Sequence, residues 1–506
     1  MGASRHSRVL AVGFDSAEST LVRDLIHRGE LPVLAGLLDR GRWARVDSRA
    51  DIGNGAVWPT FFTGMEPAEH GIYSGWVWEP RAMACTRPHE GFRKAPFWRS
   101  LPERGESVGL LDVPVAPFGE ITRGFEVSEW GAHDEVIGRM EVSPWRASEI
   151  VAAAGPHPFP SVYYGPGSLE DRTLRRRLSS ASVTGARLRG ELAVRLISEA
   201  KPALTIVVFT ELHHITHHLW HTVAPEHPFY ADPRFREAEG VEPGLVDVYR
   251  EVDRQLGRLI EAAGPDTAVM VFSLHGMRPG PGVPTILEPL LEALGFARPA
   301  HWQGLSWRER GAGLFGAAKR RAPASLSTLY QKGLNYRALS RIAQPTMVAP
   351  HDWPRTRAFS LPTDLHGYIR INLAGRETKG VVPDRDYTAV CDEITDAMQA
   401  LETPDGEPLV RKVLRTAEDG GAPPARIPDL IVHWADAAFG RPARVRAGSV
   451  EVEANPVRPD LTGQHTDHGF CVMDDRILDG SGGELLAGKD LHRLLLPARA
   501  DRGVAP

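Results

Sequence analysis

The chain has 506 residues, too many for one typical hydrophobic core, so we expect two or three structural units. Its formal net charge of -5 at pH 7 argues against a nucleic-acid-binding surface built on bulk positive charge. The three cysteines have no paired or metal-type spacing, so the sequence predicts neither a disulfide framework nor a cysteine–zinc site.

No apolar stretch approaches the length that spans a membrane, and a strand-like run begins at Val9. That early strand leaves no room for a secretory signal peptide. We therefore expect a cytoplasmic protein with no membrane partner, with export alongside another protein as the alternative. The sequence does not predict the oligomeric state.

The N-terminal half alternates strand-like and helix-like segments. The predicted strands cover residues 9–14, 107–114, 204–209 and 268–272, and the predicted helices cover 19–28, 31–39, 175–200 and 246–263. Alternation of this kind is typical of an α/β fold in which helices cover both faces of a mostly parallel sheet.

From about residue 278 to 365 this alternation gives way to sequence rich in Gly, Pro, Arg and Trp, which we interpret as an inserted cap. Strands are predicted again at 368–373 and 429–434, with an amphipathic helix over 387–401 between them. The predicted organisation is a core domain over 1–277, a cap over 278–365, and a C-terminal return to the core over 366–506.

Candidate metal ligands follow three of the predicted strands. Asp15, His213 and His275 each lie at or just after the carboxyl end of an apolar run, the edge at which α/β sheets bind ligands. His213 and His217 are four residues apart, so a helix would present both imidazoles on one face. With His465 in a late loop, these residues predict a metal site; a surface merely rich in histidine is the alternative.

The order and separation of these motifs resemble the alkaline phosphatase superfamily, specifically its type I phosphodiesterase/nucleotide pyrophosphatase branch. The stretches that carry the resemblance are 9–15, 29–41, 56–64 with 69–72, and the loop of His465 with Gly469. The resemblance covers most of the chain. It implies a three-layer sandwich with a mostly parallel central sheet and an inserted cap.

Carried over residue by residue, the resemblance also implies two metal positions, one held by His213, His217 and His465 and the other by Asp15 and His275. The position of His213 is commonly Asp in the family, and imidazole can still ligate there.

Two other positions depart from the family pattern. Asn54 stands where the family has a Thr or Ser nucleophile, and Leu274 stands where it has an Asp ligand. Two zinc ions bring four positive charges, for which Asp15 is the one matched carboxylate, and uncompensated buried charge is costly. We therefore expect one zinc ion on three neutral imidazoles, which lowers the pKa of bound water to about 7.

Two alternatives to this single-zinc site stay open. One is another divalent transition ion. The other is a second ion whose coordination is completed by Glu211, Asp467 or Asp134.

The sequence thus predicts a metal-dependent hydrolase of a phosphodiester, phosphate ester or related ester, acting on a small anionic or ester substrate. An amide is a poor nucleophile, so Asn54 is interpreted as a group that orients the substrate or stabilises a developing oxyanion, without a covalent intermediate. The alternatives are a metal-dependent transferase or lyase in a specialised biosynthetic pathway, and a catalytically silent binding protein.

Three further residues are candidates for substrate contact, namely Trp58, Trp130 and His133. The last two belong to a polar and aromatic loop over residues 129–134. A packed turn with Trp130 in the core is the alternative interpretation of that loop.

Overall fold

The structure is a computed structural model, which describes residues 8–87, 94–119, 121–131, 140–158, 169–235, 244–280, 286–300, 347–362, 366–417, 424–439, 443–454, 461–477 and 485–496. In chain order its strands are β1 Arg8–Phe14, β2 Gly41–Asp47, β3 Val77–Glu79, β4 Ala84–Thr86, β5 Val108–Leu111, β6 Gly124–Ser128, β7 Glu141–Ser143, β8 Leu204–Phe209, β9 Thr267–Ser273, β10 Met277–Pro279, β11 Ala358–Leu361, β12 Gly367–Ile371, β13 Leu401–Glu402, β14 Val410–Arg415, β15 Leu430–Trp434, β16 Arg444–Ala447, β17 Val450–Glu453, β18 Gly463–His465, β19 His468–Asp474 and β20 Leu485–Ala487.

Its α-helices are α1 Ser19–His27, α2 Pro32–Leu38, α3 Asn54–Thr63, α4 Pro67–His70, α5 Ser100–Glu103, α6 Trp145–Ala154, α7 Arg172–Ala200, α8 Glu211–Leu219, α9 Leu245–Ala263, α10 Leu287–Ala293, α11 Tyr387–Gln399, α12 Asp436–Phe439 and α13 Leu491–Leu494. No helix among these described residues combines the length and the apolar character needed to cross a membrane.

Nine of the described strands form the central sheet, in the order β20–β2–β19–β9–β1–β8–β5–β6–β7. The strands from β9 to β6 run parallel to one another, whereas β19 and β7 join them antiparallel. Strands β8 and β9 are buried along their whole length, as expected for parallel strands covered on both faces. The predicted α/β class with a mostly parallel sheet is confirmed.

Successive side chains of β1 enter opposite layers of the fold. Leu10 and Val12 belong to the hydrophobic core that the sheet shares with α1, α2, α7, α8 and α9. Val9 and Ala11 belong to the core on the other face, which includes α3 and α13. Because side chains alternate between the faces of a strand, one continuous apolar run anchors both helical layers. These layers and the sheet form the predicted three-layer sandwich.

A second, antiparallel sheet follows in the chain, with the order β11–β12–β15–β14. Its apolar side chains pack with α10 and α11 in a separate core. The predicted strands 368–373 and 429–434 belong to this sheet and not to the central one, and the division into core, cap and C-terminal return stays a prediction. Among the residues that the structure describes, the chain returns to the central sheet at β19 and β20. Of the predicted cap, residues 301–346 lie outside the described residues.

Candidate metal centre

Three neighbouring strand ends bring the predicted ligands to one edge of the central sheet. Strand β1 pairs in parallel with β8 on one side and with β9 on the other. Asp15 directly follows β1, His213 lies in the first turn of α8 just after β8, and His275 comes two residues after β9. His465 ends β18, where it is the register partner of Met277 in β10. The late His465 loop therefore lies directly beside the segment that follows His275.

The imidazoles of this edge converge. His213, His275 and His465 are buried, and each offers a nitrogen that lies within 4.8 Å of those of the other two. His217 joins them, with its Nε2 atom 3.0 Å from Nε2 of His465. The structure thus brings together all four histidines singled out from the sequence. The three histidines whose nitrogens lie mutually close are His213, His275 and His465. The resemblance instead implied a metal position held by His213, His217 and His465.

The hydrogen bond of His217 defines the orientation of its ring. Its Nδ1 atom lies 2.9 Å from the carbonyl oxygen of Gly463. Since a carbonyl oxygen only accepts, Nδ1 is the donor, and in the neutral imidazole the lone pair is on Nε2. That lone pair is directed at His465. Imidazole nitrogens that face one another in this way suit Zn²⁺ or another divalent transition ion.

Asp15 contacts the same cluster through His213. The Asp15 carboxylate is 2% exposed, and its Oδ2 atom lies 3.3 Å from Nδ1 of His213. The hydroxyl of Ser16 lies 2.8 Å from that same nitrogen. Sequence reasoning did not identify Ser16. Its only signal was its position next to Asp15, since a contact with a residue 197 positions later is not readable from the chain.

Glu211, one of the carboxylates considered for a second ion, is committed to another interaction. It is fully buried, and Nε of Arg189 lies 2.8 and 3.0 Å from its two carboxylate oxygens. Nε2 of His157 lies 2.8 Å from Oε1. Burial alone would raise the pKa of Glu211, but Arg189 and His157 outweigh it and hold that pKa below its ordinary value. Glu211 is therefore paired with Arg189 and His157, and we do not count it among the candidate metal ligands.

Of the other two carboxylates considered for a second ion, the structure describes Asp467. Asp467 contacts Nδ1 of its neighbour His468 at 3.1 Å and lies 3.9 Å from a guanidinium nitrogen of Arg411. The hydrogen bond with His468 holds the pKa of Asp467 well below its ordinary value, so this carboxylate is charged. Asp134 lies outside the described residues.

The two positions that depart from the family pattern differ in their surroundings. Asn54 is half-buried and is the first residue of α3. The backbone just before it is tightly packed, because a Cβ atom on Gly53 would lie 2.2 Å from the carbonyl oxygen of Tyr73. Leu274 is 2% exposed and packs in the core on the α3 face of the sheet. Where the family has a carboxylate ligand, this chain therefore has an apolar contact.

The two tryptophans predicted to contact substrate are buried, and their contact with substrate stays a prediction. Trp58 is 5% exposed and packs edge-on against Phe61 and Phe272. Trp130 is 4% exposed, and its indole nitrogen donates to the carbonyl oxygen of Gly155. Large aromatic side chains gain more from burial than from contact with water, which explains both positions. His133 lies outside the described residues.

A partly buried guanidinium lies on the strand that pairs with the His465 strand. Arg278 follows Met277 in β10 and is largely buried, with a guanidinium nitrogen 3.8 Å from the exposed Asp436. Burial and the nearby Arg411 lower the pKa of Arg278 from its ordinary value. The carboxylates of Asp436 and Asp467 partly offset this lowering.

Solved structures with similarity to this chain include two classes of hydrolase. Phosphonoacetate hydrolase from Sinorhizobium meliloti, in complex with phosphonoacetate, is 14% identical, with 97% of this chain and 96% of that chain covered at a TM-score of 0.47. Human ectonucleotide pyrophosphatase/phosphodiesterase 5 is 12% identical, with 96% and 93% covered at a TM-score of 0.45. No curated protein sequence matches this chain significantly.

The family comparison covers most of the chain. The model of the type I phosphodiesterase/nucleotide pyrophosphatase family matches residues 9–439, a stretch that includes Asp15, Asn54 and the three histidines 213, 217 and 275. His465 follows the matched stretch and reaches the site through the pairing of β18 with β10. The chain therefore belongs to the type I phosphodiesterase/nucleotide pyrophosphatase family.

Proposed function

We propose that this enzyme of the phosphodiesterase type is a metal-dependent hydrolase of a small anionic phosphodiester or phosphate ester. The supporting observation is the convergence of four histidines at one sheet edge, three of them with nitrogens within 4.8 Å of one another. His213, His217, His275 and His465 would hold a zinc ion, with Asp15 as the carboxylate of the site. Such an ion, when bound, polarises the phosphoryl oxygen and lowers the pKa of a water molecule.

A single ion suits the charges of this site better than two. Four neutral imidazoles and one carboxylate leave about one positive charge with one divalent ion and about three with two, and buried uncompensated charge is costly. Leu274 adds no charge, and Glu211 already balances Arg189. We therefore propose one ion per chain.

Asn54 would act without becoming covalently modified. Its amide is half-buried at the start of α3, where the backbone N–H group of Gly55 donates to the carbonyl oxygen of Tyr73. An amide donor at such a position can hydrogen-bond a phosphoryl oxygen and stabilise the charge that develops on it. Hydrolysis would then proceed by direct attack of water. Cytoplasmic residence and the absence of nucleic-acid and membrane partners stay predictions.

Metal removal and reconstitution test the proposal. We expect elemental analysis of the purified protein to give one zinc per chain. Dialysis against a chelator should abolish hydrolysis of bis-p-nitrophenyl phosphate, and zinc should restore it. A protein that takes up no transition ion would contradict the proposal. Full metal loading with no turnover of aryl phosphodiesters or monoesters would instead favour the transferase or lyase.

Replacing Asn54 tests the non-covalent mechanism. We expect Asn54→Ala to lower kcat by about 100-fold, the usual effect of removing one oxyanion donor, while zinc stoichiometry is unchanged. Thr63→Ala is the matched control, because Thr63 is at the opposite end of α3 and donates to the carbonyl oxygen of Pro59. Quenching the reaction with a radiolabelled phosphodiester should yield no phosphorylated protein. A labelled protein, or an unchanged kcat in Asn54→Ala, would refute this role.

A further inference from the structure

Ser16 has an unusual combination of backbone conformation and burial. It follows Asp15 at the end of β1, is fully buried, and has a left-handed backbone with φ of 61°. That conformation is disfavoured for residues with a Cβ atom and is one that glycine adopts readily. A side chain at this position therefore costs conformational free energy that glycine would avoid. The Ser16 hydroxyl makes one sequence-distant contact, with Nδ1 of His213 at 2.8 Å.

The surroundings of Nδ1 indicate which nitrogen of His213 carries the proton. The Oδ2 atom of Asp15 lies 3.3 Å from this nitrogen, and an ionised carboxylate oxygen only accepts hydrogen bonds. A proton on Nδ1 is therefore favoured by the nearby negative charge, and the Ser16 oxygen can accept it. The lone pair of the neutral ring then lies on Nε2. His217, one turn later on α8, has the same arrangement, with Nδ1 donating to the Gly463 carbonyl oxygen.

The burial of Ser16 decides between two roles for its hydroxyl. A serine close to an imidazole can be a nucleophile, but a nucleophile has to reach the substrate. Ser16 has no exposed surface, and its oxygen is adjacent to the ring nitrogen of His213. It is placed to orient the ring. Partners of this kind set both the tautomer and the direction of a metal-binding histidine.

We propose that Ser16 is a positioning residue that fixes the Nδ1–H tautomer of His213 and thereby makes Nε2 its ion-binding nitrogen. That Nε2 of His213 binds an ion rests on the proposed function, whereas the tautomer of His213 is a property of the metal-free protein.

Two substitutions at Ser16 separate the hydroxyl from the backbone. Ser16→Ala and Ser16→Gly both remove the hydroxyl, but only glycine relieves the left-handed conformation. We expect zinc affinity, measured by competition with a chromophoric chelator, to fall by about 10- to 100-fold in both variants. Ser182→Ala is the control, because Ser182 is equally buried but donates to a carbonyl oxygen within α7. It should retain the zinc affinity of the unchanged protein.

Nitrogen-15 NMR of the metal-free full-length protein reads the tautomer directly. At about pH 8, where imidazoles are neutral, His213 should carry its proton on Nδ1, and both Ser16 variants should shift it toward a mixture. Zinc bound to Nδ1 of His213, unchanged affinity and tautomer in both variants, or a loss confined to Ser16→Ala would overturn the proposal. If the protein bound no zinc, the proposed function would fail, and the tautomer would still decide the role of Ser16.

Discussion

Replacing His465 with alanine should remove the bound ion and lower kcat/KM by about 1,000-fold or more. His465 is the imidazole that the others surround, with its Nε2 atom 3.0 Å from that of His217 and its ring 4.2 Å from that of His275 and 4.8 Å from that of His213. An ion supplies several kcal/mol of transition-state stabilisation, and each 1.4 kcal/mol corresponds to about tenfold in rate. Elemental analysis and phosphodiesterase kinetics on the same sample measure both effects.

His221→Phe is the matched control for His465→Ala. His221 follows His217 by four residues, but its ring packs against Phe235 at 5.8 Å in an aromatic cluster away from the four histidines. Phenylalanine preserves that packing, so the variant should keep its zinc and its activity. A His465→Ala protein that retained one tightly bound zinc and most of its activity would show that the ion lies elsewhere.

The location of the site could be predicted from the sequence because it depends on local features. Asp15, His213 and His275 each follow an apolar run, and the carboxyl ends of parallel strands necessarily meet at one edge. The four-residue spacing of His213 and His217 identified a helix face in the same way. Both patterns can be recognised from residues that are close in sequence, without knowledge of contacts between distant parts of the chain.

Other parts of the site depend on contacts that no local pattern encodes. Glu211 is close to His213 in sequence, yet it balances Arg189, which lies in the middle of the long helix α7. Ser16 has the left-handed backbone that the sequence pattern of β1 does not indicate. Trp58 lies in a stretch that resembles the family's nucleophile helix, but its size and apolar character place it in the core.

The four-stranded second sheet also depends on contacts that no local sequence pattern encodes. The segments 368–373 and 429–434 were correctly predicted as strands, but an apolar strand can be buried in any sheet. Pairing with β11 and β14 places these two strands, β12 and β15, in the second sheet. Sequence periodicity therefore predicts that a strand exists, and long-range pairing determines which sheet contains it.

Arg189→Met should lower the free energy of unfolding by about 3–5 kcal/mol, the usual cost of breaking a buried ion pair from one side. The guanidinium of Arg189 is fully buried between Glu211, at 2.8 Å, and Asp112, at 2.6 Å. Asp112 also accepts from the backbone nitrogens of Trp130 and Gly131. Removing the arginine leaves two buried carboxylates without their counter-charge. Urea unfolding monitored by circular dichroism measures the loss.

The pH dependence of this loss distinguishes charge from packing. Arg189 contributes to holding the pKa of Glu211 below its ordinary value of 4.5. A depressed carboxylate pKa stabilises the folded state above that ordinary value, and the stabilisation is lost as the pH falls through the folded-state pKa. The difference in unfolding free energy between Arg189→Met and the unchanged protein should therefore be largest near neutral pH and shrink below about pH 4.5.

Arg187→Met provides the comparison on the same helix. Arg187 pairs with Glu191 at 2.9 Å, but its side chain is 46% exposed, and exposed ion pairs contribute little. Its removal should leave the unfolding free energy nearly unchanged at every pH. Glu211 begins the helix that carries His213 and His217, so loss of Arg189 should also weaken zinc binding, whereas loss of Arg187 should not. Equal effects of the two substitutions would refute a specific role for the buried arginine in holding the metal centre.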